Sequence, residues 1–223
     1  MPATRVRLHA VSGTIVVSAE ERDDVGIGPD AVREVGDDGT IEVHGKKKSS
    51  PLRVSVPVGS DVTVGTVSGD IELIGVLGSV RVTSTSGSIE VDWAESADLR
   101  TVSGRAVVGK CNGMCRVSNK SGKVIVNGAG EGAISSVSGS VHIDAQSLVE
   151  VRTVSGKVDV QSGAGGPVRV HTVSGSVEVA LPPGVKPNVR LGGRGKARHD
   201  YEPGDDVQID VRTVSGKIAI AAR

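Results

Sequence analysis

Apolar and polar residues alternate along most of the chain, and a recurring Ser-Gly pair punctuates the alternation at Gly13, Gly69, Gly87, Gly104, Gly122, Gly139, Gly156, Gly175 and Gly216. From Gly69 to Gly175 successive glycines stand 17–19 residues apart. Aligned on the glycine, three columns are apolar throughout. Five residues before it stand Leu8, Val64, Val82, Leu99, Val117, Ile134, Val151, Val170 and Val211. Two after it the column runs Ile15, Ile71, Ile89, Ala106, Val124, Val141, Val158, Val177 and Ile218, and four after it Val17, Leu73, Val91, Val108, Val126, Ile143, Val160, Val179 and Ile220. A fourth column, seven before the glycine, is apolar or small, with Cys115 between Ala97 and Gly132. Residues between the columns are mostly charged or hydroxylated, the period-two signature of a half-buried strand. Each unit therefore reads strand, Ser-Gly bend, strand, then a corner such as Asn127-Gly128-Ala129-Gly130. One such unit leaves its flat sides open, and copies running in one direction with one period cover each other by stacking. The prediction is an all-β fold, a single-stranded parallel β-solenoid of about nine regular 17–18-residue rungs plus degenerate rungs. A Thr/Ser column three before the glycine (Thr66, Ser84, Thr101, Ser136, Thr153, Thr172, Thr213) is expected to form a hydroxyl ladder.

Two stretches break the rhythm. Residues 1–60 read as irregular capping rungs, including a hairpin from Val32 to Val43 around Asp37-Asp38-Gly39. Residues 61–180 are the regular rungs, and 181–206 read as a degenerate rung or capping insertion, with Val189 and Leu191 leading into Gly-Gly-Arg-Gly near Gly195. Residues 207–223 form the last regular rung of what the repeat predicts to be one domain, 1–223. Little chain follows that rung, so either the insertion at 181–206 folds back over it, or Val214, Ile218 and Ile220 form an open edge through which copies of the chain self-associate.

Composition narrows the function. With 31 glycines, no phenylalanine, and Trp93 and Tyr201 as the only large aromatics, the core must be Val, Ile and Leu. The 26 basic and 26 acidic residues cancel. That balance makes nucleic acid an unlikely partner, because such affinity grows with net phosphate neutralisation. Two local basic clusters stand out, Lys46, Lys47, Lys48 and Arg53, and Arg190, Arg194, Lys196 and Arg198; they are the candidates for contact with an anionic surface, a membrane included. There is no apolar run long enough for a helical membrane span, and the two cysteines, Cys111 and Cys115, are too few for a disulfide framework. The expectation is a cytoplasmic protein, at most peripheral to the inner face of the membrane.

No catalytic, cofactor or metal site is expected. The outward acids Glu72, Glu90, Asp159 and Glu178 share a column, but Val107, Ile125 and His142 interrupt it. The five histidines are dispersed, and the C-x3-C of Cys111 and Cys115 has no second pair. Gly192-Gly193-Arg194-Gly195 lacks the aspartate of a calcium-binding nonapeptide, Ala197 standing in its place.

The units Thr-Val-Ser-Gly-x-[Ile/Val]-x-[Val/Leu] at 66–73, 101–108, 153–160, 172–179 and 213–220, with the lead-ins Val56-Pro57-Val58-Gly59-Ser60-Asp61-Val62 and Leu181-Pro182-Pro183-Gly184, resemble the bacterial DUF4097 family of β-strand repeats, the toastrack domains that also carry an adhesin label. The resemblance covers nearly the whole chain. It implies the solenoid fold and a link to envelope-stress systems. Together these readings point to a non-enzymatic scaffold that works through protein partners. The alternatives are a carbohydrate-binding or carbohydrate-active β-helix, for which aromatic platforms are scarce, and a polymer-forming solenoid of the cytoskeletal type.

The column assignment is testable in one rung. Val158→Asp buries an unpaired carboxylate and is expected to cost about 3–5 kcal/mol, whereas Asp159→Ser should stay within about 0.5 kcal/mol. Thermal melts followed by circular dichroism compare the two, and equal shifts would contradict the assignment.

Overall fold

The computed structural model describes residues 4–47, 50–163 and 165–222, and among them every regular element is a strand. The chain divides into two compact units, Met1–Cys111 and Asn112–Arg223. Each is built from parallel rungs in the register that the columns predict, which makes the fold a parallel β-solenoid.

In the first unit, β1 (Arg5–Ala10) and β2 (Ile15–Glu20) are the two legs of one rung, and β7 (Asp61–Ser68) with the start of β8 (Ile71–Ser86) are the legs of the next. The strand β9 (Ile89–Ala145) continues the series, its residues 89–111 belonging to this unit. Val62 pairs with Val80 and Val80 with Ala97; Val64 pairs with Val82 and Val82 with Leu99. After the bend, Ile71 pairs with Ile89 and Leu73 with Val91. All of these side chains are buried, so like sits on like down each column. The register then shifts between Leu73 and Val76, at Gly75 with φ 84°. That bulge absorbs one extra residue and explains why this interval is 18 residues and the next 17.

The outer end of this unit inverts the chain order. β5 (Ile41–Gly45) and β6 (Leu52–Pro57) pair in parallel with β1 and β2, so the first rung in sequence lies between the 41–57 rung and the 61–74 rung. β4 (Ala31–Val35) then pairs antiparallel with β5, Val32 opposite His44 and Val35 opposite Ile41, which is the expected hairpin. β3 (Gly26–Ile27) pairs antiparallel with β6.

In the second unit the end of β9 is followed by β10 (Val149–Ser162), β11 (Val168–Leu181), β12 (Pro187–Gly193), β13 (Lys196–Asp200) and β14 (Val207–Ala222). Gly132, Val149, Val168 and Ile209 are stacked, as are Ile134, Val151, Val170 and Val211. The columns Val141, Val158, Val177, Ile218 and Ile143, Val160, Val179, Ile220 complete the core. Gly132 is small for a reason: a Cβ there would run into the Ile143 side chain.

The hydroxyl column differs from expectation. The hydroxyls do not bond along the stack; each donates to the carbonyl two residues on in its own rung, at 2.9–3.5 Å from Thr66 to Thr213. The geometry is that of a local turn, which a Ser or Thr at this position closes without reaching a neighbour. Asn119 occupies the same column in the second unit. Its Oδ1 accepts from the Ser121 amide at 3.0 Å, while its buried Nδ2 finds no hydrogen-bond partner.

A buried amide without a partner is costly, and threonine at this position would remove it and restore the bond made in the other rungs. Asn119→Thr is expected to stabilise the protein by about 1 kcal/mol. Chemical denaturation measures this, and a loss of stability would count against the local-turn account.

Candidate functional site

The last regular rung is covered. β12 pairs with the first leg of β14, Val189 on Ile209 and Leu191 on Val211, and β13 pairs with the second, Ala197 on Ile218 and His199 on Ile220. Of the two outcomes expected at this rung, the fold-back of the 181–206 insertion is the one observed: the 187–200 segment of the same chain lies on it, and Ile218 and Ile220 are 3% and 2% exposed. Val214 alone of the three is exposed, at 63%.

Two glycines allow this cover. Gly193 has φ 108°, and a Cβ on it would overlap the carbonyl oxygen of Thr213; a Cβ on Gly195 would lie 2.6 Å from Thr213 Cγ2. The Gly-Gly-Arg-Gly sequence is a close backbone approach to the last rung. This is a packing role, consistent with its failure to match a calcium motif.

The cover becomes the new edge of the sheet. Arg190, Arg194, Lys196 and Arg198 are all exposed there, and none makes an ion pair or side-chain hydrogen bond among the described residues. The outer sides of β12 and β13 have no strand partner among the described residues. A few residues on, Lys186 lies 2.8 Å from Glu202. Their hydrogen bond and mutual attraction raise the Lys186 pKa and lower that of Glu202. Tyr201, half-buried and pushed up by burial, stands with its ring 5.3 Å from that of His199.

The second basic cluster lies in the first unit and in acidic surroundings. The Lys46 amide donates to Asp30 O, its Nζ donates to Pro29 O, and the Gly28 amide donates to Arg53 O. Lys46, Lys47 and Arg53 are exposed; Lys48 lies outside the described residues. Nine carboxylates and only two arginines occur between Glu20 and Glu42. Several are neutralised locally: Arg22 holds Asp24 at 2.9 Å and lowers its pKa, and Arg7 meets Glu42 at 3.0 Å. Asp38 is lowered by hydrogen bonds from the Thr40 amide and hydroxyl. Among the described residues, Asp30, Glu34 and Asp37 have no such cation.

Other candidates are dispersed. No group of three or more His, Cys, Asp or Glu side chains is placed to hold a metal among the described residues. Cys111 and Cys115 are buried thiols not joined in a disulfide. His9 and His44 stack at 5.9 Å, and His142 pairs with Asp159 at 3.4 Å. One surface feature escaped the sequence reading: the valine two before the glycine is exposed, as at Val137, Val154, Val173 and Val214 in the second unit. The alternation already held that signal, since a buried Thr at the preceding position puts this valine outside.

A family model described as Toastrack DUF4097 matches residues 12–221. The chain belongs to that family. This toastrack chain is similar to the structure of a "putative adhesin" from Parabacteroides distasonis, at 15% identity over 98% of this chain and 92% of that one, with a TM-score of 0.49. It is also similar to a "putative adhesin" from Bacteroides fragilis, at 15% identity over 99% and 93% with a TM-score of 0.35. A "putative cell adhesion protein" from Clostridium sporogenes is 12% identical over 99% and 93%, with a TM-score of 0.24. No curated protein matches the chain.

If glycine is what seats the toastrack cover on its last rung, Gly193→Ala should loosen it. Amide exchange across 187–200 is expected to quicken about tenfold or more, as strain of over 1 kcal/mol falls on a local opening, while β10 is unchanged. Unaltered exchange in the cover would show that the close approach is unimportant.

Proposed function

We propose that this toastrack chain is a non-enzymatic interaction scaffold that engages an acidic protein segment along the edge formed by β12 and β13. The observation that carries the reading is the coincidence of four exposed cations without carboxylate partners and a row of unpaired backbone groups on the same strands. An extended segment added to such an edge satisfies the backbone, and its acidic side chains meet the cations. A lipid surface offers charge but no strand, which favours a polypeptide. In this reading the scaffold serves a bacterial envelope-stress assembly at the inner face of the membrane.

The test uses a fluorescent peptide of alternating glutamate and valine, the same peptide N-methylated along one edge, and vesicles of phosphatidylserine and phosphatidylcholine. The first peptide is expected to bind, to weaken roughly tenfold between about 0.05 M and 0.5 M salt, and to lose affinity on N-methylation. Arg194→Glu/Lys196→Glu/Arg198→Glu should abolish binding while the thermal melt is retained. Binding to vesicles but to neither peptide would overturn the reading in favour of a lipid surface.

A further inference from the structure

We infer that the acidic segment is supplied by a second copy of this chain: the β3–β4 edge of one copy docks on the β12–β13 edge of another, head to tail. The inference rests on the reading of β12 and β13 as an interaction edge, and it names the partner.

The argument begins with matching legs. β12 lies on the leg that precedes the Ser-Gly bend and β13 on the leg that follows it. At the outer end of the first unit, β4 occupies the leg that precedes the bend, through β5 and β1, and β3 the leg that follows it, through β6 and β2. Each edge is thus two-legged, and each lacks an outer strand partner among the described residues. β4 and β3 run against the rungs they cover, whereas β12 and β13 run with theirs. Rungs aligned in the two copies would therefore form antiparallel pairs, the more stable arrangement per residue.

Charge selects the pairing. Residues 186–199 contain five cations and no carboxylate, while 20–42 contain nine carboxylates and two arginines. Two β12–β13 edges would repel each other, as would two β3–β4 edges, so a symmetric dimer through either is disfavoured. The unlike edges attract. A heterologous contact of this kind leaves one edge of each copy free for the next.

Apolar surface adds to the match. Val32 and Val35 on β4 are 42% and 63% exposed, Ile27 on β3 is 36%, and Leu191 on β12 is 43%. Charged residues on an edge strand ordinarily serve to prevent edge pairing. Here the β12–β13 edge carries only cations and the 20–42 segment an excess of carboxylates over arginines, each beside exposed aliphatics. That combination rejects an edge of the same sign and accepts the opposite one.

Sedimentation velocity on the full chain tests the contact. The wild type is expected to form oligomers that grow with protein concentration and dissociate as salt rises from about 0.05 M to about 0.5 M. Arg194→Glu/Lys196→Glu/Arg198→Glu and, separately, Asp30→Lys/Glu34→Lys/Asp37→Lys should each be monomeric with unchanged far-ultraviolet spectra. Mixing the two variants should restore association, because the reversed edge of each complements the edges of the other. Should the basic-edge variant fail to fold, the acidic-edge variant and its salt dependence still decide. A wild type that stays monodisperse at about 1 mM in low salt would overturn the inference, as would variants that still self-associate or a mixture that stays monomeric. If the glutamate–valine peptide nevertheless binds, the interaction edge stands and its partner is another protein. If it does not, both readings fall.

Discussion

At seven of the Ser-Gly bends the glycine Cα faces the backbone of the glycine one rung earlier, and a Cβ built there would overlap that residue's carbonyl oxygen. This holds for Gly69 on Gly13, Gly87 on Gly69, Gly104 on Gly87, Gly139 on Gly122, Gly156 on Gly139, Gly175 on Gly156 and Gly216 on Gly175. Backbone φ along the column lies between 106° and 157°, so glycine is required twice, by conformation and by space. Only with the bends this close can both legs of a rung hydrogen-bond to the next at the strand spacing of about 4.8 Å. The bend also fixes register. A slip of one residue would turn Val158 and Val160 outward and bring Lys157 and Asp159 into the core.

That constraint is why the interior was legible from sequence alone. A glycine that cannot be replaced marks each rung, and counting from it recovers the paired columns, as in Ile134, Val151, Val170 and Val211. The hairpin at 31–45 was legible for a different, local reason, the turn chemistry of Asp37-Asp38-Gly39. What periodicity does not encode is which rung lies beside which. The 207–222 rung matches β11 in every column, and its pattern alone left open whether the 181–206 insertion or a second copy would lie on its other side. The candidate edge was legible only as a run of cations. Its edge character depends on that spatial order, which the cover of 187–200 on Ile218 and Ile220 decides.

Inversion at the outermost rungs has a physical logic. β1 with β2, and β14, are the first and last described strands, and each is hydrogen-bonded on both sides. A strand with one neighbour opens more readily than one paired on both sides. Placing these strands one rung in, under a segment tethered at both of its ends, raises the cost of local opening. The outer edges then fall to 26–35 and 187–200, whose strands have no further strand partner among the described residues.

In three of the regular rungs part of the outward face neutralises itself. Six and four residues before the glycine, Asp98 pairs with Arg100, Glu150 with Arg152 and Asp210 with Arg212, each within one rung. β12 breaks this arrangement. Arg190 stands in register with Asp210, but Gly192 stands where Arg212 would be matched, so the acid–base alternation is replaced by a cation and a glycine. No aspartate or glutamate follows until Asp200. The edges are distinguished by coincidence: the cations of β12 and β13 stand on strands whose outer sides have no strand partner among the described residues, and the glycine column that pairs every inner rung on both sides confines that coincidence there.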